Sequence, residues 1–201
     1  MPALSRAKAR RVAGRTKRKP PLTVDALWAI KRIAAPTLSP DGALACAAVT
    51  NFEMAKNESS TELWLFPTAL AGKSAAKPRR LTNGDKDSDP KWSPAGDTIA
   101  FTAKRQDDDE PQIYVIAPDG GEARRLTTLA TGCAAIKWFP DGKRIAFVSW
   151  VWPDLASDAA QAKRKKERKD AKVKAHVTER AEFRVWDQRF TDGREPHVYV
   201  C

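Results

Sequence analysis

The chain has 201 residues, 42% hydrophobic and 8% aromatic, which is enough to bury a core and excludes a wholly disordered polypeptide. It holds no long unbroken apolar run, and basic side chains fill the stretch where a secretory h-region would sit, so neither a membrane span nor a cleavable signal is predicted. Cys46, Cys133 and Cys201 lack the paired short spacings of a disulfide framework or a zinc site and are expected to be reduced thiols of a cytoplasmic protein.

The net charge of +11 is concentrated in two places. Residues 1–24 hold eight Lys or Arg and no acid, and residues 158–180 hold nine basic side chains against four acidic ones, so the rest of the chain is close to neutral. Residues 1–20 are expected to form a basic disordered tail. The tail has no aromatic for base stacking, so nucleic-acid or acidic-partner binding through it is the weaker reading. A mitochondrial presequence, with one Ser and one Thr before Pro20, is weaker still.

From residue 36 the chain repeats itself. Pro36-Thr37-Leu38-Ser39-Pro40-Asp41-Gly42 leads into Leu44-Ala45-Cys46-Ala47, Lys91-Trp92-Ser93-Pro94-Ala95-Gly96 into Ile99-Ala100-Phe101-Thr102, and Lys137-Trp138-Phe139-Pro140-Asp141-Gly142 into Ile145-Ala146-Phe147-Val148. A second half-motif keeps step: Leu63-Trp64-Leu65 and Ile113-Tyr114-Val115 precede Arg79-Arg80-Leu81-Thr82 and Arg124-Arg125-Leu126-Thr127. Proline presets φ to about −65° and glycine takes the positive φ that closes a tight turn, so each unit reads as four antiparallel strands, the pattern of a propeller blade. The fold class predicted is all-β: a partial β-propeller of two full blades and most of a third.

After Trp150 the next strand is delayed. Val151-Trp152-Pro153-Asp154 ends a strand, and Ser157 or Asp158 is placed to cap a helix running towards Arg180, polar nearly all round and supported by pairs such as Lys163 with Glu167. Pro196-His197-Val198-Tyr199-Val200 then matches Pro111-Gln112-Ile113-Tyr114-Val115 and is read as the third strand of blade three.

These residues resemble the N-terminal propeller of prolyl-oligopeptidase-family serine peptidases, in the acylaminoacyl-peptidase and dipeptidyl-aminopeptidase branch. Thr23-Val24-Asp25-Ala26-Leu27-Trp28 with Lys31-Arg32-Ile33 is similar to the short helix that opens those proteins. Val151 to Leu155, Gln161-Ala162-Lys163-Arg164, Trp186-Asp187 and Thr191-Asp192-Gly193 are similar to an insertion common in the branch. The expected layout is therefore a tail at 1–20, a helix at 21–35 and a partial propeller at 36–201 with a helical insertion at 151–195. The resemblance implies a truncation before an α/β-hydrolase domain, which carries a Gly-x-Ser-x-Gly elbow absent from these residues.

Asp85, Asp87 and Asp89 have the alternation that begins a calcium loop, but Pro90 and Gly96 stand where its glycine and glutamate belong, so a solvated loop is the stronger reading. Asp107, Asp108, Asp109 and Glu110 read as a charged hairpin tip rather than an amine-binding site. His176 and His197 have no nucleophile beside them in sequence. The tryptophans Trp28, Trp64, Trp92, Trp138, Trp150 and Trp152 read as packing residues. No catalytic, cofactor-binding or metal-ligating residue is assigned, and no cofactor is expected. The expected role is that of a gating propeller segment in a cytoplasmic peptidase acting on short peptides, with the peptide reached through the absent hydrolase domain. The rival is a non-catalytic, protein-binding propeller similar to that of the Tol system. By itself the chain is expected to self-associate, because blades bury their faces against neighbours.

Overall fold

A computed structural model describes residues 21–69, 76–105, 108–173 and 192–201, with the backbone of 184–185 and 188–189. After a single-turn helix α1 (Val24–Trp28), capped by the Thr23 hydroxyl accepting from the Ala26 N–H, come three antiparallel sheets. Blade one consists of β1 (Arg32–Ile33), β2 (Thr37–Leu38), β3 (Leu44–Glu53), β4 (Glu58–Pro67) and β5 (Arg79–Arg80). β1 and β2 both pair with β3 and form one inner strand interrupted around Pro36. Blade two is β6 (Asp87–Trp92), β7 (Ile99–Ala103), β8 (Gln112–Ala117) and β9 (Gly120–Arg125), in that spatial order. Blade three begins with β10 (Ala134–Trp138) and β11 (Ile145–Val151). The insertion follows, with helix α2 (Asp158–Asp170) and the short ribbon of β12 (Arg184–Val185) and β13 (Gln188–Arg189), before β14 (Glu195–Val200) returns to pair with β11. The partial propeller with a short opening helix and a helical insertion is thus as predicted, but the helix covers only Val24–Trp28 of the 21–35 expected, and Arg32–Ile33 is already a strand of blade one. The tail lies outside the described residues, as do His176, Trp186, Asp187 and Asp107.

Strand periodicity explains how the blades stack. On β7, Ile99, Phe101 and Ala103 point into one cluster with Cys46, Leu63 and Leu65 of blade one, whereas Ala100 points into a second cluster with Ile136, Ile145 and Phe147 of blade three. β8 divides the same way, with Tyr114 and Ile116 on the first side and Ile113 and Val115 on the second. Successive side chains of a strand face opposite sides, so a strand pressed between two sheets is buried on both faces. All five residues of β7 are buried. Burying a side chain the size of Phe101 contributes about 2–3 kcal/mol.

A hydrogen bond repeats at each blade junction. The Trp92 indole Nε1 donates to the Thr37 carbonyl at 3.1 Å, and the Trp138 Nε1 donates to the Lys91 carbonyl at 3.1 Å. In blade one the same slot is Leu38, 61% exposed. The turns close with bonds from Gly42, Gly96 and Gly142 N–H to the carbonyls of Ser39, Ser93 and Phe139. These glycines have φ of 71°, 77° and 65°, the left-handed region the sequence required.

The structure also corrects the sequence alignment. The bond from Ser39 N–H to Leu44 O corresponds to Ser93 to Thr98 and Phe139 to Arg144, so Ala45, not Leu44, is the equivalent of Ile99. Each inner strand of blades two and three carries a bulge, with register shifts between Ser88 and Lys91 and between Ala134 and Lys137, at non-glycine residues Asp89 (φ 49°) and Ala135 (φ 50°). Trp150, expected to pack, is 46% exposed, because it falls on the outward side of β11. Trp64 leaves its buried Nε1 without a hydrogen-bond partner. Among the described residues no helix is long and apolar enough to cross a membrane.

The Trp92 and Trp64 indoles supply a test. Trp92→Phe removes a junction bond and is expected to cost about 1 kcal/mol beyond the loss of ring area, whereas Trp64→Phe removes an N–H that bonds to nothing and costs less. Thermal denaturation of both variants measures the difference, and an equal or larger loss for Trp64→Phe contradicts the junction role.

Candidate functional site

Strand direction sorts the connections onto two ends of the blades. The Pro-Gly turns occupy one end. The β3–β4 and β7–β8 connections, the crossovers from β5 to β6 and β9 to β10, and the insertion between β11 and β14 occupy the other. The charged residues singled out in the sequence gather on this second rim, in blade two and the insertion.

Asp87 does not lie in a solvated loop. It opens β6, is fully buried, and accepts from Arg105 Nε at 3.1 Å and Nη2 at 2.7 Å. The Arg105 guanidinium also sits over the Phe101 and Tyr114 rings, 5.3 and 5.1 Å from their centroids. Gly84 lies against the Asp87 carboxylate so closely that a Cβ there would overlap it. Asp89 pairs with Lys91 on the surface, and Asp85 offers its carbonyl to the Thr61 N–H. The three aspartates therefore serve separate purposes, Asp85 through its backbone, and among the described residues no cluster of His, Cys, Asp or Glu is placed to hold a metal.

Asp108 is likewise not an exposed tip. Its side chain is 3% exposed and accepts from the Tyr114 hydroxyl at 2.7 Å, the Arg105 N–H at 3.2 Å and Arg125 Nη1 at 2.6 Å. Burial alone would raise its pKa, but the bonds from Tyr114, Arg105 and Arg125, with the Arg125 charge, hold it below the usual carboxylate range. Burial, reinforced by the bond to Asp108, pushes Tyr114 up. Two aspartates thus bracket Arg105, one bound by its side chain and the other by its backbone.

The insertion helix is fastened across the blade junction. Ser157 caps α2 by accepting from the Ala160 N–H, and the helix ends at Asp170, short of the Arg180 expected. Asp158 accepts from the Ala130 N–H at 2.9 Å, while Lys165, two turns on and on the same face, donates to the Ala130 carbonyl at 3.1 Å and pairs with Glu110 at 2.8 Å. Both backbone polar groups of one residue in the β9–β10 crossover are therefore held by blade three's insertion. Gln161, the buried residue of α2, bonds to the Trp152 N–H and carbonyl and to the Leu155 carbonyl. The guanidinium groups of Arg164, Arg168 and Arg194 lie 5.6–5.8 Å from the buried Trp152 ring, with Asp154 and Asp192 as counter-charges. The expected pair of Lys163 with Glu167 forms at 4.0 Å.

A cleft of about 500 Å³ lies between α2 and the outer strands of blade two. Its lining includes Asp108, Arg125 and Gln112 on one side and Lys165, Lys166 and Asp170 on the helix. Gln112 is 3% exposed and fully engaged by Thr127, Leu129 N–H and the Leu129 carbonyl. The cleft therefore has charged walls over a floor whose polar groups are already satisfied.

His197 lies on β14 directly opposite Ser149. The Ser149 hydroxyl, 1% exposed, bonds to the Gly132 carbonyl at 2.6 Å and to Thr131 Oγ1 at 2.7 Å, and no bond joins it to His197 among the described residues. The pair is a neighbour relation of the sheet without the geometry of a nucleophile and base. Burial pushes the Cys46 thiol up to about 12 and the Cys133 thiol up to about 11, which suits packing rather than nucleophilic chemistry.

No family model matches this chain. Over 125 residues, 62% of the chain, it is 34% identical to the uncharacterized peptidase YuxL of Bacillus subtilis (strain 168), of which it covers 18%. Over 186 residues, 90% of the chain, it is 25% identical to dipeptidyl-peptidase 5 of Porphyromonas endodontalis, of which it covers 24%. The acylaminoacyl peptidase of Pyrococcus horikoshii has a similar fold, with a TM-score of 0.58 at 15% identity over 85% of this chain and 23% of that one. The chain thus spans only a fifth to a quarter of the length of these proteins. Its propeller-like fold is related to the corresponding part of peptidases.

The Asp108 network predicts a pH dependence. Its pKa is lower folded than unfolded, so its contribution is present above about pH 4 and is lost as pH falls further through the lowered native value. Asp108→Asn is expected to cost about 2 kcal/mol at neutral pH, a figure discounted because Arg125 is partly in solvent. The gap to the wild type should narrow progressively as pH falls below about 4 and through the lowered native value. Urea denaturation at neutral pH and at a series of acidic pH values checks this, and a gap that stays constant contradicts it.

Proposed function

We propose that this chain is the propeller portion of a serine peptidase of the prolyl-oligopeptidase family, in the acylaminoacyl- and dipeptidyl-peptidase branch. In this reading it admits short peptides to a catalytic domain and keeps folded proteins out. The observation that carries the reading is the likeness to dipeptidyl-peptidase 5. Nine-tenths of the chain is matched, so the matched stretch takes in α2 as well as blades one and two. Blades of this kind occur in many unrelated proteins, but a helical insertion bound across the junction of blades two and three is a more particular feature. The side chains that would attack a peptide bond belong, in this proposal, to a hydrolase domain outside these 201 residues, and the protein acts in the cytoplasm. A non-catalytic, partner-binding propeller is the second reading. It is favoured by the apolar residues that blade three presents to solvent, Val198 at 74% and Val200 at 53% exposure.

A serine-reactive fluorophosphonate probe applied to extracts of the native cell distinguishes the two. The expected result is a labelled polypeptide several times longer than this chain and carrying its sequence, which hydrolyses dipeptidyl or acylaminoacyl chromogenic substrates but not casein. An unlabelled product with neither activity overturns the peptidase reading in favour of the partner-binding one.

A further inference from the structure

We propose that the cleft between α2 and blade two is a binding site for the free α-carboxylate of a short peptide, with Arg125 as its anchor and Lys166 as the facing cation. The proposal rests on the peptidase reading for the class of ligand. The geometry supplies the rest.

Arg125 stands on β9, in the outermost strand of blade two, and its side chain is 44% exposed. One of its nitrogens, Nη1, is bonded to Asp108, whose carboxylate is sealed beneath it and is already satisfied by Tyr114 and the Arg105 N–H. Asp108 is the one carboxylate paired with Arg125 among the described residues. A guanidinium fixed along one edge by a buried acid keeps a second edge for a ligand, and its planar fork matches a carboxylate with two parallel bonds. Asp108 is therefore a positioning residue and Arg125 the contacting one.

The opposite wall is α2. Lys165 is committed to Glu110 and the Ala130 carbonyl, which fixes the distance of the helix from blade two, and Lys166 follows it into the cleft without an ion pair among the described residues. The floor residue Gln112 has no unused polar group. Selectivity is thus left to the charged walls. Asp109 and Asp170 line the same cleft and offer counter-charge for an amine, so a short zwitterionic peptide meets opposite charge for both of its ends. About 500 Å³ lies within the range of small-ligand sites and accommodates a peptide of a few residues.

The test is calorimetric titration of the 201-residue protein with trialanine, its C-terminal amide, and amidated Ala-Asp-Ala. Free trialanine is expected to bind at least about tenfold more tightly than either amide, since each lacks the terminal carboxylate that the Arg125 fork receives. Equal binding of trialanine and its amide, or no binding of trialanine, overturns the proposal. Equal binding of amidated Ala-Asp-Ala moves the ligand to a side-chain carboxylate and overturns the terminal assignment. Arg125→Gln is expected to abolish the preference for the free acid, and Arg125→Lys to restore part of it as a point charge without the fork. Lys166→Gln, on the exposed side of α2, keeps the thermal melt of the wild type and lowers trialanine affinity by about threefold. It therefore decides the matter even if the Arg125 variants do not fold, and unchanged affinity in Lys166→Gln overturns the site. A fluorophosphonate-labelled peptidase that ignores the free carboxylate sinks the cleft and leaves the peptidase reading. Trialanine binding by an unlabelled product does the reverse.

Discussion

Blade two buries both of its faces, and the rest of the molecule is arranged around that constraint. A four-stranded sheet with apolar residues on both sides is insoluble by itself. β7 and β8 are therefore stable only while blade one covers Ile99, Phe101, Tyr114 and Ile116 and blade three covers Ala100, Ile113 and Val115. Burial is non-directional and would tolerate sliding of one sheet over the next. The indole bonds from Trp92 to Thr37 and from Trp138 to Lys91 remove that freedom, since each fixes one inner strand at a defined point on the strand before it.

Charge is handled by the same logic at the opposite rim from the turns. Removing Asp87 and Asp108 from water would cost several kcal/mol each if they were unpaired. Each is answered by an arginine, and Arg105 serves both, through its side chain and its backbone. The rim is held further by α2, which binds both the N–H and the carbonyl of Ala130. A helix with almost no apolar face has little hydrophobic reason to stay against the sheets. Its attachment comes instead from Asp158, Gln161 and Lys165 and from the arginines around Trp152. The result is a charged cleft between α2 and blade two.

The architecture was legible in the sequence because its cues are local. Pro-x-Gly turns, strands beginning Ile-Ala-Phe and Arg-Arg-Leu-Thr outer strands recur at matching offsets, and the match of Pro196–Val200 to Pro111–Val115 located β14 across the insertion. What escaped depends on contacts distant in sequence. Asp87 and Asp108 sit in acidic runs that read as solvated loops, and only the fold brings Arg105 and Arg125, 18 and 17 residues further on, to neutralise them. Arg125 itself was read only as part of a repeated tetrad, and its position opposite α2 follows from an insertion belonging to a different blade. The bulges at Asp89 and Ala135 left no cue, since neither residue is glycine. Trp150 was misread because alternation along β11 places it opposite in sense to its neighbours Ser149 and Val151. In blade one the spacing after the turn is the same but an apolar Leu44 stands one place before the true equivalent, Ala45, and the hydrogen bond from Ser39 to Leu44, not the letters, sets the register.

The interlocked blades make a single cooperative unit, which positions a rim whose fixed charges face one cleft. Hydrogen exchange followed by mass spectrometry on the 201-residue protein addresses this most directly. The account predicts that the amides of β3, β4, β7, β8, β10 and β11 lose protection together and last, and that α1 and β14 exchange early. Protection in β3 and β4 that survives after β7 and β8 have exchanged would show that blade one folds without its neighbour, and would contradict the dependence on blade two.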